Sequence, residues 1–83
     1  MPRWMPSETI HIDGQEVTIT PVEPRPGGGA RVDVEAGDRE WRVDVRRSGS
    51  IDEIVTTWRD GELADIEQPD WLEDVLSRMA RAA

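Results

Sequence analysis

Few groups in this sequence could carry out acid–base or nucleophilic chemistry. His11 is the only histidine, and in the first hairpin described below it lies opposite Glu16, where the two side chains could exchange a proton. A histidine on the exposed face of a hairpin is more often simply solvated. Nucleophilic catalysis needs a thiol or hydroxyl beside a base, and the chain has no Cys, Lys or Tyr. We therefore predict no catalytic residues, and an enzyme is the least favoured class.

Metal and phosphate binding are also weakly indicated. Carboxylates cluster at Asp52 and Glu53 and again at Asp70, Glu73 and Asp74, but neither set has the spacing of a calcium-binding loop. Helix capping and the helix dipole already explain the second set. The Gly-Gly-Gly run lacks the Lys-Ser/Thr pair and the following helix of a phosphate-binding loop. We predict no metal site and no cofactor.

Arginine and tryptophan supply the stronger indication of binding. All ten basic residues are arginine and all four aromatic residues are tryptophan, and these residue types dominate binding hot spots. Residues 25 to 47 hold six arginines and five acids, whereas the rest of the chain is strongly acidic. Cross-strand ion pairing and burial in the core are the alternative roles for these side chains. The interaction residues that we predict are Arg42, Arg46, Arg47, Trp58 and Arg59.

The net charge of -8 limits the class of partner. A strongly negative field discourages approach to nucleic acid or to an anionic membrane. The acid-rich, lysine-free composition is typical of proteins in a high-salt cytoplasm, where a Debye length of about 3 Å at molar salt screens the self-repulsion. The absence of cysteine fits a reducing compartment, and no apolar run approaches the ~18 residues of a membrane span. We expect a cytoplasmic protein with no membrane partner.

The elements that position these groups begin with a hairpin. From Glu8 onward, apolar and polar residues alternate, and Asp13-Gly14 is a strong signal for a two-residue turn. This turn pairs Ile10 with Val17 and His11 with Glu16. The following stretch, residues 21 to 29, is rich in proline and glycine and predicts a loop.

A second hairpin turns at Gly37-Asp38, and its charges test the register. One face pairs apolar residues and the other pairs opposite charges: Val34 with Trp41, Val32 with Val43, Asp33 with Arg42, and Arg31 with Asp44. Glu35 opposite Glu40 is the one misfit. Two independent patterns therefore predict the same register.

The next segment, residues 50 to 60, allows two interpretations. Ser50 and Glu53 form a capping box, and apolar residues at helical spacing follow, which favours a short helix. The β-branched and aromatic run up to Trp58, with a turn at Asp60-Gly61, favours a third hairpin. We prefer strands, with Trp58 opposite Leu63 and Val55 opposite Ile66 on opposite faces.

The carboxyl end predicts an amphipathic helix at residues 70 to 82. Asp70 and Glu73 have the spacing of a capping box, and one helix face is apolar: Trp71, Leu72, Val75, Leu76 and Met79. Such a helix is marginal alone and needs an apolar surface, which the meander supplies. We expect a single small domain over residues 1 to 83, with an irregular arm at 1 to 7 and a β-meander at 8 to 67. The predicted fold class is α+β, an antiparallel β-meander of four to six strands with one C-terminal α-helix packed on one face.

Three functions are compatible with this fold. The leading hypothesis is a small acidic protein-interaction or regulatory module, with a protein partner or a second copy of the chain bound at an uncovered face or edge of the sheet. A nucleic-acid-associated regulator that uses the arginines of the middle hairpin is the alternative, although the net charge disfavours it. A further alternative is an acidic mimic of DNA that inhibits a basic protein.

Overall fold

The computed structural model describes residues 7 to 82, with side chains for residues 7 to 78. Six strands and one helix follow each other along the chain: β1 (Glu8–Ile12), β2 (Gln15–Pro24), β3 (Ala30–Ala36), β4 (Arg39–Val45), β5 (Ile51–Arg59), β6 (Glu62–Leu63) and α1 (Trp71–Ala82). The strands form one antiparallel sheet in the order β1-β2-β3-β4-β5-β6. The predicted α+β meander with a C-terminal helix is confirmed, whereas the predicted arm lies outside the described residues apart from Ser7.

The registers of the first two hairpins are those that the sequence predicts. In the first, Ile10 pairs with Val17 and His11 with Glu16. In the second, all four predicted pairs form, and Glu35 lies opposite Glu40. Positive φ angles at the turns explain the residues there, because Asp13 and Gly14 have φ of 51° and 80°, as a type I′ turn requires.

The loop predicted for residues 21 to 29 is wrong in its first part. Strand β2 continues to Pro24, with an irregular register between Pro21 and Glu23. The physical reason is the shortness of β1, whose pairing with β2 reaches only Ile19. Beyond Ile19 no described strand pairs with that side of β2, and a proline without an N–H is tolerated there. The turn itself is short and is closed by hydrogen bonds between Arg25 and residues 28 and 29.

Residues 51 to 59 form a strand, so the preference for a third hairpin over a helix is confirmed. Its register against β4 shifts twice, and these bulges increase the local twist. Trp58 pairs with Leu63 as predicted, but pairing ends there because β6 has only two residues. The predicted pair of Val55 with Ile66 is therefore wrong. Ile66 instead packs against the hydrophobic core, since the chain leaves the sheet edge to cross the apolar face.

The core lies between one face of the sheet and α1. It is formed by alternate residues of β2, β3 and β4 and by the apolar stripe of the helix: Val17, Ile19, Ala30, Val32, Val34, Ala36, Trp41, Val43, Val45, Leu72, Val75 and Leu76. Trp41 is fully buried and meets Trp71 edge to face, with ring centroids 5.9 Å apart. Its indole N–H donates to the carbonyl of Glu67 at 3.3 Å, which holds the segment before α1 over the core. The helix therefore packs as predicted, while the side chain of Met79 lies outside the described residues.

Two contacts fix the helix on the sheet. The carboxylate of Glu73, predicted to belong to a capping box, accepts a hydrogen bond from the backbone amide of Ile51 on β5 at 3.4 Å. Gly49, in the β4–β5 turn, has a φ of 95° and lies directly against Leu76 and Ser77 of α1. In the part of the chain that the structure describes, no helix is long and apolar enough to cross a membrane.

Candidate functional site

The face of the sheet opposite α1, here called the open face, carries the chemistry. Side chains alternate between the two faces of a strand, so the buried residues of β3 and β4 place their polar neighbours on the open face. Cross-strand pairing arranges these neighbours in two ion-paired rows. Arg31 is bidentate to Asp44, with distances of 2.7 and 3.1 Å, and Arg42 is bidentate to Asp33, with distances of 2.8 and 3.0 Å.

One end of the open face is an extended ion network around Asp44. This carboxyl is only 6% exposed, because Arg31 and Arg25 lie over it. Arg25 also reaches Asp52 at 3.1 Å, and Asp52 accepts a hydrogen bond from Arg46 at 2.9 Å. The hydrogen bond from Arg31 is the main cause that lowers the pKa of Asp44. Arg25, Arg31 and Arg46 are therefore already paired with carboxylates of the same chain.

The other end of the open face centres on Trp58. The guanidinium carbon of Arg42 lies 5.5 Å from the centroid of this indole, a cation–π geometry. Leu63, directly opposite Trp58 on β6, is 76% exposed. Leu63 and the half-buried Trp58 therefore place two apolar side chains next to each other on the open face.

A shallow depression borders Trp58 between two turns of the sheet. The backbone amide of Asp60 donates to the carbonyl of Asp38 at 2.7 Å, which brings the β3–β4 and β5–β6 turns side by side. The depression, here called the Trp58 depression, is lined by four acids, one arginine, the indole and two glycines: Glu35, Asp38, Glu40, Asp60, Arg39, Trp58, Gly37 and Gly61. The Trp58 depression therefore combines several carboxylates with an aromatic side chain.

The acids of the Trp58 depression repel one another. Glu40 lies between Glu35 on β3 and Trp58 on β5. Burial is the main cause that raises the pKa of Glu40; the negative charges of Asp33 and Glu35 raise it further, and the positive charge of Arg42 opposes them. Within residues 7 to 78, neither Glu35 nor Glu40 lies within ion-pairing distance of an arginine. The native fold therefore holds two carboxylates together at a cost, and a cation placed between them would relieve it.

The five interaction residues predicted from the sequence do not form one site. Arg42 and Trp58 are in contact on the open face. Arg46 and Arg47 lie in the β4–β5 turn at the opposite end of the sheet, and Arg59 lies opposite Arg39 on β4 and Glu62 on β6. The acids beside Trp58 were missed as site residues, although the misfit of Glu35 opposite Glu40 was a visible signal for them.

The remaining candidates for chemistry stay apart. His11 lies 4.0 Å from Glu16, and both side chains are about 70% exposed, so water screens the pair. Among the residues that the structure describes, no group of three or more His, Asp or Glu side chains could hold a metal ion.

Comparison with known proteins finds no matching family model, no similar curated protein and no similar solved structure.

Proposed function

We propose that this chain is a small cytoplasmic protein-interaction module that binds a basic partner protein through the Trp58 depression. The occupant would be an arginine or lysine side chain of the partner. The observation that carries the proposal is the coincidence of four carboxylates and an indole around one depression. Recognition of cations by an aromatic face with acids beside it is a common use of such surfaces.

The charge distribution supports a basic partner rather than a nucleic acid. Of the arginines predicted to contact a partner, Arg42 is bidentate to Asp33 and Arg46 is paired with Asp52. Their release would cost those ion pairs. Glu35 and Glu40, in contrast, gain from a positive charge, and the net charge of -8 attracts a basic protein over a longer range.

The binding energy expected from a single cation at the Trp58 depression is small, so the partner must make further contacts. A cation on an exposed indole contributes about 0.5–1 kcal/mol, and an exposed ion pair about 0.2–1 kcal/mol. One arginine side chain would therefore bind weakly, and a stable complex needs further contacts around it. Leu63, 76% exposed beside Trp58, offers the apolar contact that a folded or extended basic segment would cover.

A nuclear magnetic resonance titration tests the proposal. An oligoarginine peptide is added to the 15N-labelled protein, and the four indole N–H signals are followed, with Trp58→Phe identifying the signal of interest. We expect the Trp58 signal to shift with the peptide and the buried Trp41 signal to remain. An oligoglutamate peptide and single-stranded DNA should cause no shift at Trp58.

Charge variants separate a local site from a general attraction. The double change Glu35→Gln with Glu40→Gln should weaken binding roughly two- to thirty-fold, from about 0.2–1 kcal/mol for each charge pair. The control, Glu8→Gln with Asp13→Asn, removes the same charge at the far edge of the sheet and should change affinity little. Equal losses in the two double variants would contradict a site at the Trp58 depression.

A further inference from the structure

The edges of the sheet differ in how they are protected against pairing with another strand. The part of β2 beyond Ile19, whose outer side pairs with no described strand, contains Pro21 and Pro24 and an irregular register. At the opposite edge of the sheet, β5 has two register shifts against β4. The amide of Ile51 is hydrogen-bonded to Glu73, and β6 pairs only with Trp58 and Arg59 at the carboxyl end of β5. Prolines, bulges and short strands are the devices that prevent edge pairing.

Strand β1, although short, has neither a proline nor a bulge. It contains no proline or glycine, its register with β2 is regular over all five residues, and no described strand pairs with its other side. Ile10 and Ile12 are only half-buried and pack at the margin of the core. Among the residues that the structure describes, none therefore pairs with the outer backbone edge of β1 or fully covers Ile10 and Ile12.

The turn determines which backbone groups of β1 point outward. In a two-residue hairpin the residues that flank the turn exchange hydrogen bonds, here Ile12 and Gln15. Alternation then directs the amides and carbonyls of Ile10 and Ile12 toward β2. Those of Thr9 and His11 point away from the sheet, which leaves two outward pairs of donor and acceptor with Ile10 between them.

We infer that β1 pairs with β1 of a second copy of this chain, antiparallel about a two-fold axis at Ile10. An antiparallel partner must present its own outward groups opposite Thr9 and His11. A two-fold axis at Ile10 places Thr9 of each copy opposite His11 of the other copy. Two hydrogen-bonded pairs therefore form. It is also the one register that pairs all five residues of β1 with all five of its copy.

The same register matches the side chains. Ile10 lies opposite its copy on the face that carries the core, so two half-buried apolar side chains cover each other. The result is a continuous twelve-stranded sheet with both open faces on one side. Each copy has a charge of -8, so association must overcome repulsion, and salt should therefore strengthen it.

Cysteine cross-linking tests this register directly, because the chain contains no cysteine. Opposed residues of a non-hydrogen-bonded antiparallel pair have Cα atoms about 4.5 Å apart, within the range of a disulfide. In Ile10→Cys the two thiols face each other, and mild oxidation with oxidised glutathione in molar potassium chloride should give a covalent dimer. In the control Ile12→Cys the thiols are about four residues apart, too far to bridge, and the chain should stay uncross-linked. Equal cross-linking of the two variants, or none in either, would overturn the inference.

Sedimentation of unlinked variants provides an independent measurement. The wild-type chain should shift from 9.4 kDa toward twice that mass as concentration rises in molar salt. His11→Pro removes an outward N–H without removing a bond to β2 and should remain monomeric with an unchanged circular dichroism spectrum. His11→Ala keeps the N–H and should still dimerise. A wild type that stays at 9.4 kDa, or a dimeric His11→Pro, would refute the proposed edge pairing.

Discussion

Replacing Gly49 by alanine should loosen α1 from the sheet. Gly49 has a φ of 95°, and a Cβ atom built on it would lie 2.5 Å from Cα of Ser77 and 3.0 Å from the carbonyl oxygen of Leu76. Both contacts are with helix backbone, so no side-chain rotation can relieve them. The helix would have to move, and its buried residues Leu72 and Val75 would move with it.

The magnitude follows from two contributions. A non-glycine residue at positive φ costs about 1–2 kcal/mol, and forcing extra volume into a packed contact costs about 1–3 kcal/mol. The expected loss is therefore about 2–5 kcal/mol. A chain of this length has a free energy of unfolding of roughly 4–12 kcal/mol, so the change would remove a large part of its stability. The melting temperature should fall by roughly 4–8 °C for each kcal/mol.

Gly61→Ala is the matched control. Gly61 has a similar φ of 78°, but nothing lies within 4 Å of the position of its Cβ. It should therefore lose only the backbone contribution of about 1–2 kcal/mol. Urea unfolding followed by tryptophan fluorescence and circular dichroism measures both variants in molar potassium chloride. Equal losses for Gly49→Ala and Gly61→Ala would refute the close packing of the β4–β5 turn against α1.

Three further predictions follow from packing and charge. Leu72→Ala, at a fully buried position, should cost about 2–5 kcal/mol in urea unfolding, whereas Leu63→Ala on the open face should change stability by less than about 0.5 kcal/mol. Glu40→Gln should stabilise the protein at neutral pH by about 0.2–1 kcal/mol. Because the native pKa of Glu40 is raised, wild-type stability falls as the pH rises through that pKa, so the gain should vanish in acid. The pH dependence from Asp44 has the opposite sign, because the native pKa of Asp44 is lowered. Its contribution to the free energy of unfolding is present above its unfolded pKa and is lost as the pH falls through its native pKa. Asp44→Asn should therefore be less stable than wild type at neutral pH, with a difference that shrinks in acid unfolding curves.

The hairpins could be predicted because their information is local. Turn residues such as Asp13-Gly14 and Gly37-Asp38 select the connection, and side chains a few residues away must match across it. The pairs of Asp33 with Arg42 and Val34 with Trp41 confirm one register because a shift of one residue would reverse every face. The amphipathic pattern of α1 is local for the same reason.

The errors arose where distant parts of the chain decide the outcome. Pro21 and Pro24 are compatible with a strand only because β1 ends its pairing at Ile19. Ile66 leaves the sheet because the apolar face of β4 needs cover there. Residues close in sequence do not contain that information.

The candidate site, like the fold, was only partly predictable from local sequence patterns. The sequence by itself determined the pairing of Glu35 with Glu40 and of Trp58 with Leu63, since each pair belongs to one hairpin. Only the tertiary structure decided that these two hairpins lie side by side, with the amide of Asp60 bonded to the carbonyl of Asp38. The register of β4 with β5 does this, because it places Arg39 opposite Arg59 and Glu40 opposite Trp58. The acids and the indole consequently share one depression, which no local pattern of the chain predicts.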